Sequence, residues 1–125
     1  MPEHRTWNEI RELNHRIHDL GEPLVLTDEI RALLIGTAAE VAIAQQEVSQ
    51  AIDDDASASE LLKEIAKRIR VGSRRLSRAL IEANKLQESG DLEAARAPLL
   101  ALLDVEVVPF YRELAQVQLD ALDAP

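Results

Sequence analysis

Cysteine is missing from the 125-residue chain, which excludes disulfides, thiolate catalysis and cysteine-bound zinc together and favours a reducing compartment. Aromatic side chains are nearly missing too: Trp7, Phe110 and Tyr111 are the only three, so the 46% apolar fraction rests on Ala, Leu, Ile and Val. Leu and Ala are strong helix formers, and the predicted core is therefore an aliphatic one between helices. Four glycines and five prolines are too few for a strand-and-turn protein. Apolar runs of membrane-spanning length are lacking, and the opening segment MPEHRTWNEIRE has no apolar signal-peptide core. A cytoplasmic protein without a membrane partner is expected. The length suits one domain, residues 1–125, burying roughly two-thirds of the surface its unfolded chain exposes.

What is present is charge, unevenly divided. Residues 63–78 hold Lys63, Lys67, Arg68, Arg70, Arg74, Arg75 and Arg78 against the single acid Glu64, a local net charge of +6. The overall charge is −9, so the remaining residues carry −15. Half of the positive charge thus sits in one short stretch.

Helical signals run the length of the chain. Thr6 and Glu9 have capping-box spacing, and Trp7, Ile10, Leu13, Ile17 and Leu20 recur at helical intervals before Gly21, predicting a helix over 7–20. Pro23 breaks the chain, and Thr27 with Asp28 and Glu29 behind it caps a second helix carrying Ile30, Leu33 and Leu34. Residues 36–55 are ambiguous, since Val41, Ala42 and Ile43 suit either a continuation of helix two or an extended corner; a short third helix is expected over 44–52. Asp53, Asp54 and Asp55 should end it, because carboxylates at a helix C-terminus oppose the macrodipole.

Ser57 and Glu60 form a second capping-box signature, opening a helix expected to reach Ser89. Leu62, Ile65, Ile69, Gly72, Leu76, Leu80 and Ala83 fall on one face, with Lys63, Lys67, Arg70, Arg74 and Arg78 opposite. Gly72 lies on the apolar face, where a missing side chain permits close helix contact. Gly90 and Asp91 supply a C-terminal and an N-terminal cap in succession. The last helix is read as one, over 92–122, with an inner stripe of Leu99, Leu103, Val107, Phe110, Leu114, Val117 and Ala121. Pro98 and Pro109, three turns apart, fall opposite that stripe and should bend the helix around the core. Leu102 and Val105 then make its middle apolar on the outer side as well, as expected of a segment that is central in a bundle or covers a partner.

Several phrases together carry a family resemblance: Trp7, EVAI at 40–43, RIRVGSRRL at 68–76, GDLEAAR at 90–96 and VEVVPFYREL at 105–114. Across nearly its whole length the chain resembles the DUSAM-domain proteins, short bacterial chains with no assigned activity. The resemblance implies a shared fold and transfers no catalytic residue.

Candidate chemistry meets plainer explanations. The basic stripe suits a solvated face, an acidic protein partner or sister subunit, or a phosphate backbone; the −15 elsewhere and the lack of interleaved aromatics argue against nucleic acid. Arg68 and Arg75 lie nearer the apolar edge, placed to pair with acids of a neighbouring helix. Glu12 and His15 match half of a helical di-iron pattern, but no second half exists, and Glu12, His15 and Asp19 face away from the apolar stripe as a surface ion-pair cluster. The aspartate triplet lacks the alternating ligands and glycine of a calcium loop. Neither a nucleophile elbow nor a glycine-rich phosphate loop is present, so no metal, cofactor or small-molecule substrate is expected. Trp7 and Phe110 sit on apolar stripes and are expected in the core, with Tyr111 turned to the surface.

The expectation is an all-α bundle of four or five helices, short ones over 7–55 and a long hairpin over 58–122. Its expected role is non-catalytic protein binding, possible self-association included, through Lys63, Lys67, Arg70, Arg74 and Arg78 or through Leu102, Val105 and Tyr111. The alternative, by analogy with bacterial immunity proteins, is an inhibitor whose acidic surfaces occupy a basic toxin or enzyme.

Overall fold

The computed structural model describes residues 5–124. Every regular element among them is helical and no strand occurs, so the all-α expectation holds. No helix among the described residues is long and apolar enough to cross a membrane. The chain divides into two compact units, residues 1–69 and 70–125.

The first unit begins with α1, Arg5–Asn14, which passes into a π-helical turn, His15–Asp19. Gly21, at φ 75°, follows at the predicted stop. Trp7, Ile10 and Leu13 are buried at three-residue intervals, and the Trp7 indole N–H donates to Glu40 Oε1 at 3.2 Å. That bond ties α1 to the end of α2, Asp28–Glu40, against which α1 packs. The predicted cap of α2 is in place: Thr27 Oγ1 accepts from the Ile30 N–H at 3.1 Å.

The ambiguous stretch resolves as a helix stop. Ala42 N–H donates to Ala39 O and Ile43 N–H to Ala38 O, the paired bonds that close a helix on a left-handed residue. That residue is Ala42, at φ 65°, where glycine is the usual choice. Arg68 secures the corner by donating from Nη1 to Val41 O (2.9 Å) and Ala42 O (3.1 Å), a cation at the negative end of α2. Helix α3, Gln45–Ala51, matches the short third helix expected.

Helix α4, Asp55–Glu88, starts two residues before the predicted Ser57 cap. Asp54 caps it instead, its Oδ1 accepting from the Ser57 N–H at 2.8 Å. A carboxylate at a helix N-terminus is favoured by the macrodipole, and this outweighs the Ser57–Glu60 pattern. Hydrogen bonds from the Ser57 backbone and hydroxyl hold the Asp54 carboxyl below its ordinary pKa. Because the folded pKa is the lower one, the cap contributes at neutral pH and is lost as pH falls through it. Asp54→Ala is expected to lower the melting temperature at pH 7 and to leave it nearly unchanged near pH 2. Asp54→Asn keeps an acceptor and should fall between; thermal melts at both pH values check this.

The second unit contains the rest of α4, then α5, Leu92–Val105, and α6, Pro109–Asp123, which pack on each other. Gly90 sits at φ 88°, and Asp91 Oδ1 accepts from the Ala94 N–H at 3.0 Å, so this corner is as predicted. The single helix over 92–122 is not. Residues 106–108 are extended between α5 and α6, with ψ 131° at Glu106 and 115° at Val108. Proline disfavours helical backbone in the residue before it and suits the first helical position, so Pro109 starts α6 instead of kinking a longer helix. Pro98 stays inside α5.

The break also resets the helical phase. Ala95, Leu99 and Leu102 are buried in α5, and Val108, Tyr111, Ala115 and Leu119 after it. Val107 and Val117, assigned to the inner stripe, are instead exposed. Two arginines bind across the break: Arg112 Nη1 donates to Leu103 O (2.5 Å) and Glu106 O (2.9 Å), and Arg96 pairs with Asp123.

Candidate functional site

The cations of α4 fall into two groups. Arg68 and Arg75 are engaged internally, Arg68 with Glu64 at 3.0 Å beside its two carbonyls, Arg75 with Glu106 at 2.9 Å. Lys63 and Lys67 in the first unit, and Arg70, Arg74 and Arg78 in the second, are all exposed. None of these five forms an ion pair among the described residues.

Glu106 is the polar centre of the second unit, and the reading of VEVV as helix concealed it. Its residue is only 3% exposed. Oε1 accepts from Arg75, and Oε2 accepts from the N–H groups of Val107 (3.1 Å) and Val108 (3.0 Å). The carboxylate thereby satisfies the amides that the α5–α6 break releases. One signal was available in the letters: a lone acid in an otherwise apolar run before proline must find a partner if that run is buried. Gly72 lies against the same group. A Cβ there would stand 2.4 Å from Tyr111 Cδ2 and 3.0 Å from Glu106 Oε1, so the close approach expected at Gly72 is made to a ring and a carboxylate.

With Arg75 fixed, Arg74, Arg75, Arg78 and Val71 line an open depression of about 380 Å³. Guanidinium groups stay protonated at any physiological pH and donate in forks matched to carboxylate or phosphate. Such a surface is chemically suited to holding anions. Val105, 58% exposed, and Val107, 50% exposed, flank Glu106 in sequence, while Val71 is the one apolar residue lining the depression.

Two residues proposed for partner contact lie elsewhere. Leu102 is 2% exposed and Tyr111 5%, both in the core of the second unit. Leu102 completes the Ala95–Leu99 face of α5, and the phase reset at Pro109 turns Tyr111 inward against Gly72. Phe110, expected inside, is half-buried, its ring 5.9 Å from that of Tyr111. Val105 keeps the exposure expected of it.

In the first unit, His15 Nδ1 lies 2.7 Å from Asp19 Oδ2 on the surface, as part of the predicted cluster; Glu12, its third member, forms no ion pair among the described residues. No group of three or more histidine, aspartate or glutamate side chains among the described residues is placed to hold a metal. His18 Nε2 lies 3.0 Å from Ser59 O and ties the π-turn to the start of α4. A second open depression, of about 320 Å³, has Glu9, Glu12, Glu29 and Arg16 around Leu13, Ile30 and Leu33. The sequence reading missed it because its residues come from α1, the π-turn and α2, and their convergence depends on how α1 meets α2.

The model of a family described as a protein of unknown function (DUF2379) matches residues 5–122. The chain belongs to that family. The match includes both units, both depressions and every helix of the DUF2379 chain except the last residue of α6. No curated protein and no solved structure matches the chain.

Proposed function

We propose that this DUF2379 chain is a non-catalytic protein-interaction module that engages an acidic partner, another protein or a second copy, through the exposed cations of the second unit. One observation carries the reading. In a chain with 23 acidic against 14 basic residues, Arg70, Arg74 and Arg78 form no ion pair among the described residues, whereas Arg68 and Arg75 of the same helix are both engaged. With acids in such excess, cations kept free in a row supply complementarity and steering toward an acidic surface. We place the chain in the cytoplasm, and we read the DUSAM-domain proteins as relatives within its family on the strength of RIRVGSRRL and VEVVPFYREL.

The test compares wild type with the Arg70→Gln, Arg74→Gln, Arg78→Gln triple variant, by sedimentation of the purified chain and by cross-linking in native extract with identification of the adducts. A complex is expected that weakens about tenfold or more between roughly 0.05 M and 0.5 M salt and is lost in the variant. The variant's melting temperature should hardly change, since substitutions at solvated positions are nearly neutral. A complex that survives the triple substitution but is lost when surface acids are neutralised would replace this reading with the inhibitor one. A monomer with no cross-linked partner would remove both.

A further inference from the structure

The two depressions carry opposite charge on similar chemistry. In the second unit, three guanidiniums against the single Glu106 carboxylate leave two positive charges beside Val71. In the first unit, three glutamates against Arg16 leave two negative charges around Leu13, Ile30 and Leu33. Both are open and walled largely by long, flexible charged side chains that can reach across to one another. Glu9, Glu12 and Glu29, like Arg74 and Arg78, form no ion pair among the described residues. Each surface has charge to give and aliphatic area to cover.

We propose that the chain self-associates head to tail, the Glu9–Glu12–Glu29 surface of one copy seating on the Arg74–Arg75–Arg78 surface of the next. This rests on the interaction-module reading and names the partner as a second copy. Charge complementarity selects that occupant: a net +2 patch meets a net −2 patch present at equal concentration, and Val71 meets Ile30 and Leu33. A duplex or a free phosphate would satisfy the arginines but leave Val71 uncovered. The two surfaces differ, so the contact is heterologous, and it closes into a ring or runs on as a chain of copies.

Complementation tests the geometry. Arg74→Glu with Arg78→Glu destroys the basic surface and spares the acidic one; Glu9→Arg with Glu12→Arg does the reverse. In sedimentation at low salt, wild type is expected to rise in mass with concentration above the 13.9 kDa monomer, and each variant alone to stay monomeric. An equimolar mixture should form a dimer that grows no further, because only one intact pair of surfaces remains. About 0.5 M salt should weaken every association by roughly tenfold or more. All four positions are exposed, and helical circular dichroism with unchanged melting verifies folding; the neutral Arg74→Gln, Arg78→Gln pair should weaken association without abolishing it.

A wild-type chain that stays monomeric at high concentration and low salt overturns the proposal, as does a mixture that fails to dimerise when both variants are folded. If the wild type is monomeric yet captures a different acidic protein through Arg74 and Arg78, self-association fails and the interaction-module reading stands. If neither occurs, both fall.

Discussion

Leu102→Glu is expected to unfold the second unit, while Val105→Glu, one turn away on the same helix, leaves it folded. Leu102 is 2% exposed, and truncating such a leucine alone costs about 2–5 kcal/mol through lost transfer energy and the cavity left behind. Glutamate adds the burial of a carboxylate without a partner, which takes the cost beyond about 5 kcal/mol and into the range of a whole domain's stability. Val105 is more than half exposed, so a carboxylate there stays in water and the change should remain within about 0.5 kcal/mol. The chain contains a convenient reporter: Tyr111, its only tyrosine, is buried in the second unit, and Trp7, its only tryptophan, in the first. Near-ultraviolet circular dichroism should lose the tyrosine signal in Leu102→Glu and retain it in Val105→Glu. Equal effects of the two substitutions would refute the assignment of Leu102 to the core and Val105 to the surface.

Removing the Glu106 carboxylate is the second large expected effect. Glu106→Ala strands the N–H groups of Val107 and Val108, the latter fully buried, and removes the acid paired with Arg75. Breaking a buried pair costs about 3–5 kcal/mol; Arg75 is a third exposed and can rehydrate, so the lower end, about 3 kcal/mol, applies. Glu106→Gln keeps one acceptor oxygen for the two amides and should cost about 1–2 kcal/mol. Denaturant midpoints followed by the Tyr111 signal should rank wild type, Glu106→Gln, Glu106→Ala in falling order. If alanine and glutamine are equally mild, the carboxylate does not hold the α5–α6 break.

The same carboxylate joins fold and candidate site. By fixing Arg75, it sets one wall of the basic depression, while Arg74 and Arg78 on either side of it are exposed and form no ion pair among the described residues. Gly72 is part of this arrangement, since any side chain there would displace the Tyr111 ring and press on Glu106. A helix interior ordinarily disfavours glycine by about 1 kcal/mol relative to alanine, so its presence here follows from packing, not from helical propensity.

Much of the molecule was legible in its letters because the causes are local. Aliphatic periodicity and the lack of aromatic and turn residues determined the helical class. Thr27, Gly90 and Asp91 act within three residues of themselves, and their caps stand where they were read. The exposure of Lys63, Lys67, Arg70, Arg74 and Arg78 follows from the angular spacing of one uninterrupted helix. Beyond such reach, neighbours decide. Asp54 displaced Ser57 as the cap of α4 because two signals of similar strength lay three residues apart, and the macrodipole favours the charged one. The break at residues 106–108 turned on a distant partner for Glu106: without Arg75 opposite, a buried carboxylate there would be prohibitive, and with it the extended linker is stable. The restart at Pro109 shifted the phase of everything after it, carrying Tyr111 inward and Val117 outward, and no periodicity count can supply the contact thirty-one residues away that stabilises the break.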